Sequence, residues 1–455
     1  MLFSGNILKF KTFISSHGNK KVISILTLFS IANFSLLAAP LNANSIVEES
    51  TIASITQKQT TIVISIDGFA QHYLQAHKAT AKAAPTLTDM INVGASSKGL
   101  MPVFPSKTFP NHLSMVTGVY PHAHGLVHNK FYSRALAKTY RLGAGKDQPK
   151  WLSATPIWAL AEQQNITTGI YFWPESEISF GENSPSYLFP YKHETPNIER
   201  VEQIIDWLAM PDNSRPGLIF GYFSTVDSAG HEYGTESKEL ITAISQVDSL
   251  IAKLRKVIKA RYQDRVNLIL VSDHGMVDIN QENLINVPKT LKRDVDIRVV
   301  NGQTQLYLYA DNEQAKDQAY VQLLAEQQAK PDARYKVYQQ KDFPRHWRLS
   351  AKSPVAPDII VNAQPPYIFN SKRGHIGAAT HGYDPRATTQ LDGIFIAEGP
   401  AFAKGQIDRV ENVNIFALIA KVIGLDLQQA KLHNGKRGNH EIDAELQPFS
   451  VLLKK

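Results

Sequence analysis

Acidic and histidine side chains follow three apolar, β-branched runs of the sequence, and one further histidine lies far along the chain. The six candidates are Asp67, Asp227, His231, Asp273, His274 and His381. Imidazole and carboxylate ligands together favour zinc over calcium or magnesium. The set therefore predicts a site for divalent transition-metal ions, provided that the fold brings the six side chains together.

Each of these residues also has an ordinary structural interpretation. An Asp after a strand commonly caps the next helix, and a single His commonly lies in the core or on the surface. Three Asp and three His at the ends of apolar runs are hard to explain in that way. The metal site is therefore the preferred interpretation of the set, and not of any one member.

A candidate nucleophile lies in the segment 104–112, which reads Phe-Pro-Ser-Lys-Thr-Phe-Pro-Asn-His. Pro110 suits the first turn of a helix and Gly118 would end that helix, so Thr108 is predicted at the helix N-terminus. The helix dipole and the unpaired backbone N–H groups favour negative charge there. A hydroxyl bound to zinc would be activated for attack without a histidine base. The alternative is that Thr108 serves only as an N-cap.

The elements that must position these residues alternate along the chain. Strand-like runs occur at 61–66, 168–173, 218–223, 267–272 and 394–397. Between two of these runs, apolar residues recur three or four apart from Leu240 to Ile258, which is typical of an amphipathic helix. This order predicts an α/β fold with a doubly wound, mostly parallel sheet and helices on both faces. Functional side chains gather at the carboxyl edge of such sheets, where the candidate residues stand.

The segment between His274 and His381 is too long for one connection. Its pattern predicts strands at 305–309 and 335–339 and a helix at 313–328, and therefore a small α+β cap inserted into the core. The predicted division of the chain is a signal peptide (1–43), a linker (44–59), a first core segment (60–289), the cap (290–370), a second core segment (371–440) and a C-terminal tail (441–455).

The N-terminal segment has the pattern of a signal peptide. Lys20 and Lys21 precede an apolar stretch, 22–39, which is followed by small residues. Retention as a membrane anchor is the alternative, because the stretch is near the length that spans a bilayer. The chain contains no Cys, which excludes disulfides and a lipid-modified N-terminal cysteine. These features predict a periplasmic or secreted protein that has no membrane contact once the signal peptide is removed.

Composition places the 455-residue chain among ordinary globular proteins, with 43% hydrophobic and 20% charged residues. The formal net charge of +7 includes Lys9, Lys11, Lys20 and Lys21. Removing these four from the 48 basic residues leaves 44 against 41 acidic residues, or +3. That excess is too small and too dispersed to predict a stable nucleic-acid partner. The sequence also has no glycine-rich phosphate loop and no Gly-x-Ser-x-Gly elbow, so kinase, P-loop and serine-hydrolase functions lack their motifs.

The motif blocks resemble those of a known family. The blocks are 66–69, 101–112, 117–125 with Asn129, 173–174, 227–234, 272–276, 381–384 and 399–402. In order and residue type they closely resemble the nucleotide pyrophosphatase/phosphodiesterase family of the alkaline phosphatase superfamily, over about residues 60–435. The resemblance implies an alkaline-phosphatase-like α/β fold and an enzyme that hydrolyses phosphodiesters.

The resemblance implies two zinc ions as cofactors. The first would be held by Asp67, Thr108, Asp273 and His274, and the second by Asp227, His231 and His381. In the implied mechanism Thr108 is the nucleophile of an in-line displacement, and a covalent intermediate leads to net retention at phosphorus. Asn129 and the Thr108 backbone N–H would contact the phosphoryl oxygen that gains charge.

The resemblance also implies a substrate groove. Phe109 and Tyr222 would flank the place where a nucleobase stacks, and Tyr187 and Tyr191 are weaker candidates for the same wall. Packing at the end of a strand is the alternative role for Tyr222. The expected substrate is a small-molecule phosphodiester or nucleotide.

Two departures from the family pattern limit what the resemblance implies. Glu175 stands where the commonest family loop has Gly, and Ser106 stands where Thr is usual. Related phosphomonoesterases carry a Lys-x-Arg pair, and no such pair occurs near 173–177, which favours diesters. The alternative functions are hydrolysis of lipid or choline phosphodiesters or of phosphomonoesters, and a non-catalytic binding protein that keeps the fold.

Overall fold

A computed structural model of the chain describes residues 59–454, apart from 76, 289–290, 292–295, 331–333, 351–352, 371–375 and 430–441. The predicted signal peptide and all but the last residue of the predicted linker lie outside the described residues. Among the helices that are described, none is both long enough and apolar enough to cross a membrane.

Strands and helices alternate along the core, as the apolar runs predict. The strands are Thr60–Ile66 (β1), Ala95–Ser97 (β2), Leu100–Met101 (β3), Tyr132–Ser133 (β4), Lys138–Thr139 (β5), Thr168–Tyr171 (β6), Tyr187–Phe189 (β7), Leu218–Phe223 (β8), Val266–Val271 (β9), Val277–Asp278 (β10), Ile297–Asn301 (β11), Gln305–Ala310 (β12), Tyr335–Gln339 (β13), Ile359–Ala363 (β14), Ala379–Thr380 (β15), Phe395–Glu398 (β16), Gly405–Ile407 (β17) and Val410–Glu411 (β18). The α-helices are Ala79–Lys82 (α1), Pro85–Val93 (α2), Thr108–Thr117 (α3), Pro121–His124 (α4), Ile157–Gln163 (α5), Asn197–Ala209 (α6), Thr225–Tyr233 (α7), Lys238–Arg261 (α8), Glu313–Gln328 (α9) and Ile415–Val422 (α10).

The central sheet has eight strands in the order β17-β2-β16-β9-β1-β8-β6-β7. From β9 to β7 every neighbouring pair is parallel, whereas β16 is antiparallel to both of its neighbours. The predicted mostly parallel α/β sheet is confirmed. The apolar run 394–397 does not reveal the reversed direction of β16, because a strand covered on both faces is apolar in either orientation.

Helices cover both faces of this sheet. Alternate residues of β1 point to opposite faces, so β1 contributes apolar side chains to a buried layer on each side. Ile62, Ile64 and Ile66 belong to a buried cluster with residues of α2, α6 and α8. Val63 belongs to a second buried cluster with residues of α3, α5 and α10. The helix predicted from Leu240 to Ile258 is α8, and it lies in the first of these layers.

Two segments differ from their predictions, one in the length of a strand and one in its burial. The predicted strand 168–173 ends at Tyr171, because Phe172 has a φ of 64° and leaves the extended conformation. The predicted C-terminal tail supplies Phe449 and Leu452, which are both buried in the second cluster. The division of the chain into core, cap and tail segments stays a prediction.

The cap contains the elements that the sequence predicts. Its four strands form an antiparallel sheet in the order β11-β12-β14-β13. Ala315, Ala319 and Leu323 of α9 share a buried cluster with Leu306 and Val361 of this sheet. The predicted strands 305–309 and 335–339 and the predicted helix 313–328 are therefore confirmed as β12, β13 and α9.

The end of α3 gives a test of backbone geometry. Gly118 has a φ of 70°, and a Cβ atom there would lie 2.7 Å from Phe416 Cδ1. Gly118→Ala is expected to lower the free energy of unfolding by about 2–3 kcal/mol, of which about 1 reflects the left-handed backbone and the remainder the overlap. Gly424→Ala is the matched control, because its φ is 71° and no atom of the described residues lies within 4 Å of the added Cβ. Urea unfolding should show about 1 kcal/mol for the control, and equal losses in the two variants would contradict the packing argument.

Candidate active site

The carboxyl edge of three neighbouring parallel strands carries the predicted acidic residues. Asp67 follows β1, Asp273 follows β9 after one intervening residue, and Asp227 lies in the first turn of α7, which follows β8. Because β9, β1 and β8 lie side by side, the three carboxylates meet at one edge. His381 comes from outside this sheet, directly after β15, which pairs with β10 in a separate two-stranded ribbon.

The first cluster contains Asp67, Asp273 and His274, whose ligand atoms all lie within 4.8 Å of one another. His274 Nε2 lies 3.4 Å from Asp67 Oδ1 and 2.9 Å from Asp273 Oδ2. The same nitrogen lies 3.3 Å from Thr108 Oγ1. The structure thus brings together the four residues that the resemblance implies around one metal ion.

The second cluster contains Asp227, His274 and His381, again with ligand atoms within 4.8 Å of one another. His231 lies beside this cluster, with its Nε2 atom 3.4 Å from Asp227 Oδ1. The rings of His274 and His381 stack with centroids 3.5 Å apart, so His274 takes part in both clusters. The set implied by the resemblance has His231 where this cluster has His274, and the structure places both histidines near Asp227.

Backbone carbonyls orient the three histidines. The Nδ1 contacts are His231 to Ala379 O at 2.9 Å, His274 to Gly275 O at 2.9 Å and His381 to Ser106 O at 2.7 Å. A carbonyl can only accept, so each ring donates from Nδ1, and the neutral form of such a ring has its lone pair on Nε2. A second hydrogen bond of this kind commonly orients a metal-binding histidine. Burial lowers the pKa of His274 and of His381, which favours the neutral form that binds metal.

Three buried carboxylate oxygens of the two clusters have no hydrogen-bond partner among the described residues. They are Asp67 Oδ1, Asp227 Oδ1 and Asp273 Oδ2. Burial, followed by the repulsion of neighbouring carboxylates, raises the pKa of Asp67 and of Asp273 well above the ordinary value. Unpaired negative charge is strongly unfavourable in a protein interior, and a cation would relieve it. The donor set of carboxylates and neutral imidazoles fits a divalent transition-metal ion.

Thr108 is the first residue of α3, and its hydroxyl does not cap the helix. The N-cap residue is Lys107, and no side-chain cap hydrogen bond is made there. The Thr108 hydroxyl instead faces His274 Nε2 in the first cluster. The prediction that this helix starts at Thr108 and is ended by Gly118 is confirmed. The hydroxyl therefore lies where the helix dipole favours a developing negative charge.

Asn129 lies beside the same helix end. Its Oδ1 atom accepts a hydrogen bond from the Phe109 backbone N–H at 3.0 Å. The amide oxygen is thus assigned to the helix, and the Nδ2 group is the remaining donor of this side chain. The role of Asn129 in contacting a phosphoryl oxygen stays a prediction.

The aromatic residues predicted to flank the substrate differ in how much of each ring is exposed. Phe109 is half-buried, and its ring meets Tyr140 edge-on with centroids 6.4 Å apart. Tyr222 is only 8% exposed, and its hydroxyl donates to Asp67 Oδ2. Tyr191 is 45% exposed and meets Tyr222 edge-on at 6.1 Å. Stacking on Tyr222 stays a prediction, whereas its hydrogen bond gives it a direct part in orienting Asp67.

The sequence reasoning missed His112, which lies one helical turn after Thr108. Its Nδ1 atom donates to the Thr108 carbonyl at 2.9 Å, and its Nε2 atom accepts from Ser65 Oγ at 2.8 Å. Nδ1 also lies 3.4 Å from Asp273 Oδ2. The signal in the sequence was the four-residue spacing from Thr108, which places both side chains on one face of a helix.

Lys107 was also missed as a functional residue. Its Nζ atom donates to the His381 carbonyl at 2.8 Å, and burial lowers its pKa to about 8. This contact ties the residue before the nucleophile to a histidine from a distant segment. No periodicity in the sequence reports such a contact, because it depends on two loops meeting in space.

The fold and the clustered ligands define an α/β protein of the alkaline-phosphatase-like type. Residues 61–384 match the family described as type I phosphodiesterase/nucleotide pyrophosphatase. The chain belongs to this family.

Relatives and solved structures agree with this assignment. Ectonucleotide pyrophosphatase/phosphodiesterase family member 1 of Mus musculus is 30% identical over 372 residues, which cover 80% of this chain and 41% of the relative. This chain thus spans about two fifths of the length of that relative. An uncharacterized pyrophosphatase/phosphodiesterase of Schizosaccharomyces pombe is 30% identical over 394 residues, covering 82% of this chain and 78% of that protein.

Among solved structures, murine ectonucleotide pyrophosphatase/phosphodiesterase 5 is similar to this chain. Its inactive variant in complex with AMP has a TM-score of 0.73 and 26% sequence identity. The match covers 87% of this chain and all of the murine chain. The similarity in fold therefore extends over most of this chain.

The buried carboxylates predict that one substitution changes the melting temperature in opposite directions with and without metal. In protein treated with a chelator, Asp273→Asn is expected to raise the melting temperature, because it removes a buried charge and lets Nδ2 donate to His274 Nε2. In protein supplied with zinc, the same variant should be less stable than wild type, because one metal ligand is weakened.

Thermal unfolding with chelator and with added zinc measures both effects. Asp248→Asn is the control, because Asp248 is a buried carboxylate that accepts from the Thr86 and Leu87 backbone N–H groups outside the site. Its effect should be independent of metal. A destabilised Asp273→Asn in both conditions would contradict the assignment of this carboxylate to a metal site.

Proposed function

We propose that this chain is a phosphodiesterase and nucleotide pyrophosphatase that holds two zinc ions and acts through a covalent intermediate on Thr108. The observation that carries the proposal is the 3.3 Å approach of Thr108 Oγ1 to His274 Nε2 at the N-terminus of α3, between two carboxylate and histidine clusters. The proposed substrates are small-molecule nucleotides with a phosphodiester or phosphoanhydride bond. The AMP complex of the murine relative supports a nucleotide substrate.

The proposed ligand sets are those that the family resemblance implies, and they differ from the second cluster in having His231 in place of His274. One zinc ion would be held by Asp67, Thr108, Asp273 and His274, and the other by Asp227, His231 and His381. When bound, the ions supply positive charge that lowers the pKa of a ligating hydroxyl and offsets the charge of a phosphate. The neutral imidazoles and the unpaired carboxylate oxygens support this assignment.

The proposed chemistry takes place at Thr108. The Thr108 hydroxyl gives its proton to solvent, its Oγ1 atom attacks phosphorus in line with the leaving oxygen, and the bond from phosphorus to that oxygen breaks, so that the leaving group departs as an anion or takes a proton from solvent. Asn129 Nδ2 and the Thr108 backbone N–H donate to the phosphoryl oxygen that gains charge. Water then attacks phosphorus from the opposite side and releases Thr108. Two inversions give net retention of configuration.

The proposed groove holds the organic group of the substrate beside Thr108. Phe109 directly follows the nucleophile, and Tyr191 offers the more exposed face of the two tyrosines on the opposite side. Stacking of a base on an aromatic face contributes about 1–3 kcal/mol with any base. Tyr222 would orient Asp67 through its hydroxyl and would border the groove with its ring.

Export is part of the proposal. The predicted signal peptide, 1–43, would deliver the protein to the periplasm or the medium. N-terminal sequencing of the exported protein tests this, and a start near residue 44 is the expected result.

The nucleophile assignment predicts that Thr108→Ala abolishes turnover but retains zinc. The variant lacks the attacking oxygen, whereas Asp67, Asp273 and His274 still offer ligands. Thr108→Ser keeps a hydroxyl and should retain measurable activity. Diester hydrolysis and elemental analysis of all three proteins test this, and more than about a tenth of the wild-type rate in Thr108→Ala, a loss of only ~1.4 kcal/mol, would favour direct attack by water.

The groove assignment predicts a preference for nucleotide diesters. A nucleotide diester should exceed its monoester in kcat/KM by several orders of magnitude, because a monoester brings one further negative charge. Phe109→Ala and Tyr191→Ala should weaken a nucleotide diester about tenfold or more, while a small aryl diester is little affected. Equal rates for diester and monoester would favour a phosphomonoesterase.

Tyr222→Phe separates stacking from orientation of Asp67. The variant keeps the ring and removes the hydroxyl, so kcat should fall by a similar factor for nucleotide and aryl diesters. A loss confined to the nucleotide would mean that the hydroxyl acts on the organic group of the substrate and not on Asp67, because the stacking ring is retained. Faster hydrolysis of a phosphocholine diester than of the nucleotide by wild type would favour the lipid or choline alternative.

A further inference from the structure

Glu175 adopts a backbone conformation that glutamate rarely takes. Its φ is 61°, in the left-handed region that favours glycine. It lies in a tight turn in which the Ser176 N–H donates to the Trp173 carbonyl at 3.0 Å and the Ile178 N–H donates to the Glu175 carbonyl at 3.2 Å. A residue kept at an unfavourable φ is commonly held there by interactions of its side chain.

The carboxylate of Glu175 makes such interactions. The side chain is buried, with only 5% of the residue exposed. It accepts hydrogen bonds from the Tyr140 hydroxyl at Oε1 and from the Gly145 backbone N–H at Oε2, the latter at 3.1 Å. Within the described part of the chain, no lysine, arginine or histidine forms an ion pair with it. The carboxylate therefore joins the turn to the segment 140–145 through hydrogen bonds.

The close approach of this segment depends on Gly145. A Cβ atom at position 145 would lie 2.1 Å from Glu175 Oε2 and 2.5 Å from Ile178 Cδ1. No side chain larger than hydrogen fits there without displacing the carboxylate. The glycine at position 145 thus leaves the space that the Glu175 carboxylate and the Ile178 side chain occupy.

Tyr140 carries this contact to the nucleophile. Its ring stacks on Phe131 with centroids 5.0 Å apart and meets the edge of Trp151 at 5.2 Å. On the side toward the site it meets Phe109, which directly follows Thr108. The orientation of the Phe109 ring therefore depends on where the Tyr140 ring lies.

We propose that Glu175 is a positioning residue for substrate specificity, which holds Tyr140 and through it fixes the Phe109 ring beside the nucleophile. Glu175 does not touch the reacting atoms. Its effect is on the binding of the organic group of a nucleotide. The proposal therefore rests on the proposed function, in which a nucleotide is the substrate. A residue that served only the stability of the turn would affect all substrates alike.

The test compares Glu175→Gly with Glu175→Gln. The glycine variant suits the left-handed backbone and removes the carboxylate, so it should fold. For a nucleoside 5′-nitrophenyl phosphate diester, it is expected to raise KM about tenfold and to change kcat by no more than about twofold. For methyl nitrophenyl phosphate, both KM and kcat should stay within about twofold of wild type. The glutamine variant retains an oxygen that can accept from Tyr140 and should stay within about threefold of wild type on both diesters.

Tyr140→Phe removes the partner hydroxyl and should reproduce the effect of Glu175→Gly. The double variant Glu175→Gly/Tyr140→Phe is then expected to be no worse than either single variant, because the two residues act through one contact. Independent losses that multiply in the double variant would overturn the proposal.

Hydrogen exchange supplies a readout without substrate. In Glu175→Gly, the amide of Gly145 should exchange faster, while amides in the second half of α3 keep their wild-type rates. Unchanged exchange at Gly145, or an equal loss on both diesters, would overturn the proposal. A wild type that cleaves neither diester would overturn the proposed function and this inference with it. A wild type that prefers the nucleotide, together with a glycine variant that keeps this preference, would overturn the inference alone.

Discussion

Buried negative charge at one edge of the sheet is the constraint on which the site depends. Asp67, Asp227 and Asp273 each present a buried carboxylate oxygen without a hydrogen-bond partner. The neighbouring imidazoles in their neutral form do not offset this charge, because their Nδ1 atoms donate to the backbone and their Nε2 atoms are left as acceptors. His274 Nε2 and Asp273 Oδ2 thus face each other as two acceptors at 2.9 Å. A bound cation would offset this repulsion, so the geometry of the site and its chemistry are closely linked.

The surrounding structure fixes where these acceptors lie. Parallel strands fix the spacing of the carboxylates, and backbone carbonyls fix the histidine rings. Lys107 is a buried cation whose Nζ atom is held by the His381 carbonyl. His112 joins the first turn of α3 to β1 through Ser65. Thr108 and the candidate ligands are therefore positioned by hydrogen bonds from several neighbouring segments.

The cap holds the segment that delivers His381. Gln305, at the start of β12, is buried and donates to the Gly382 carbonyl at 2.7 Å. Trp347 donates from Nε1 to Asp384 at 2.8 Å, and its ring stacks on Phe104 with centroids 3.9 Å apart. These contacts reach the segments on both sides of the site, the one before Thr108 and the one after His381. An insertion that looks peripheral in the sequence thus contributes to the position of the reacting groups.

The sequence by itself determined the α/β class, the strand ends that carry Asp67 and Asp273, the helix that starts at Thr108, and β12, α9 and β13 of the cap. These features depend on local periodicity, turn residues and motif spacing, which a sequence displays directly. Only the tertiary structure decided the antiparallel direction of β16, the participation of His274 in both clusters, the hydrogen bond from Tyr222 to Asp67 and the burial of Glu175 against Tyr140. Each of these depends on which distant segments meet. Contacts between segments far apart in the chain leave no periodic trace in either one, because they are set by packing of the whole core.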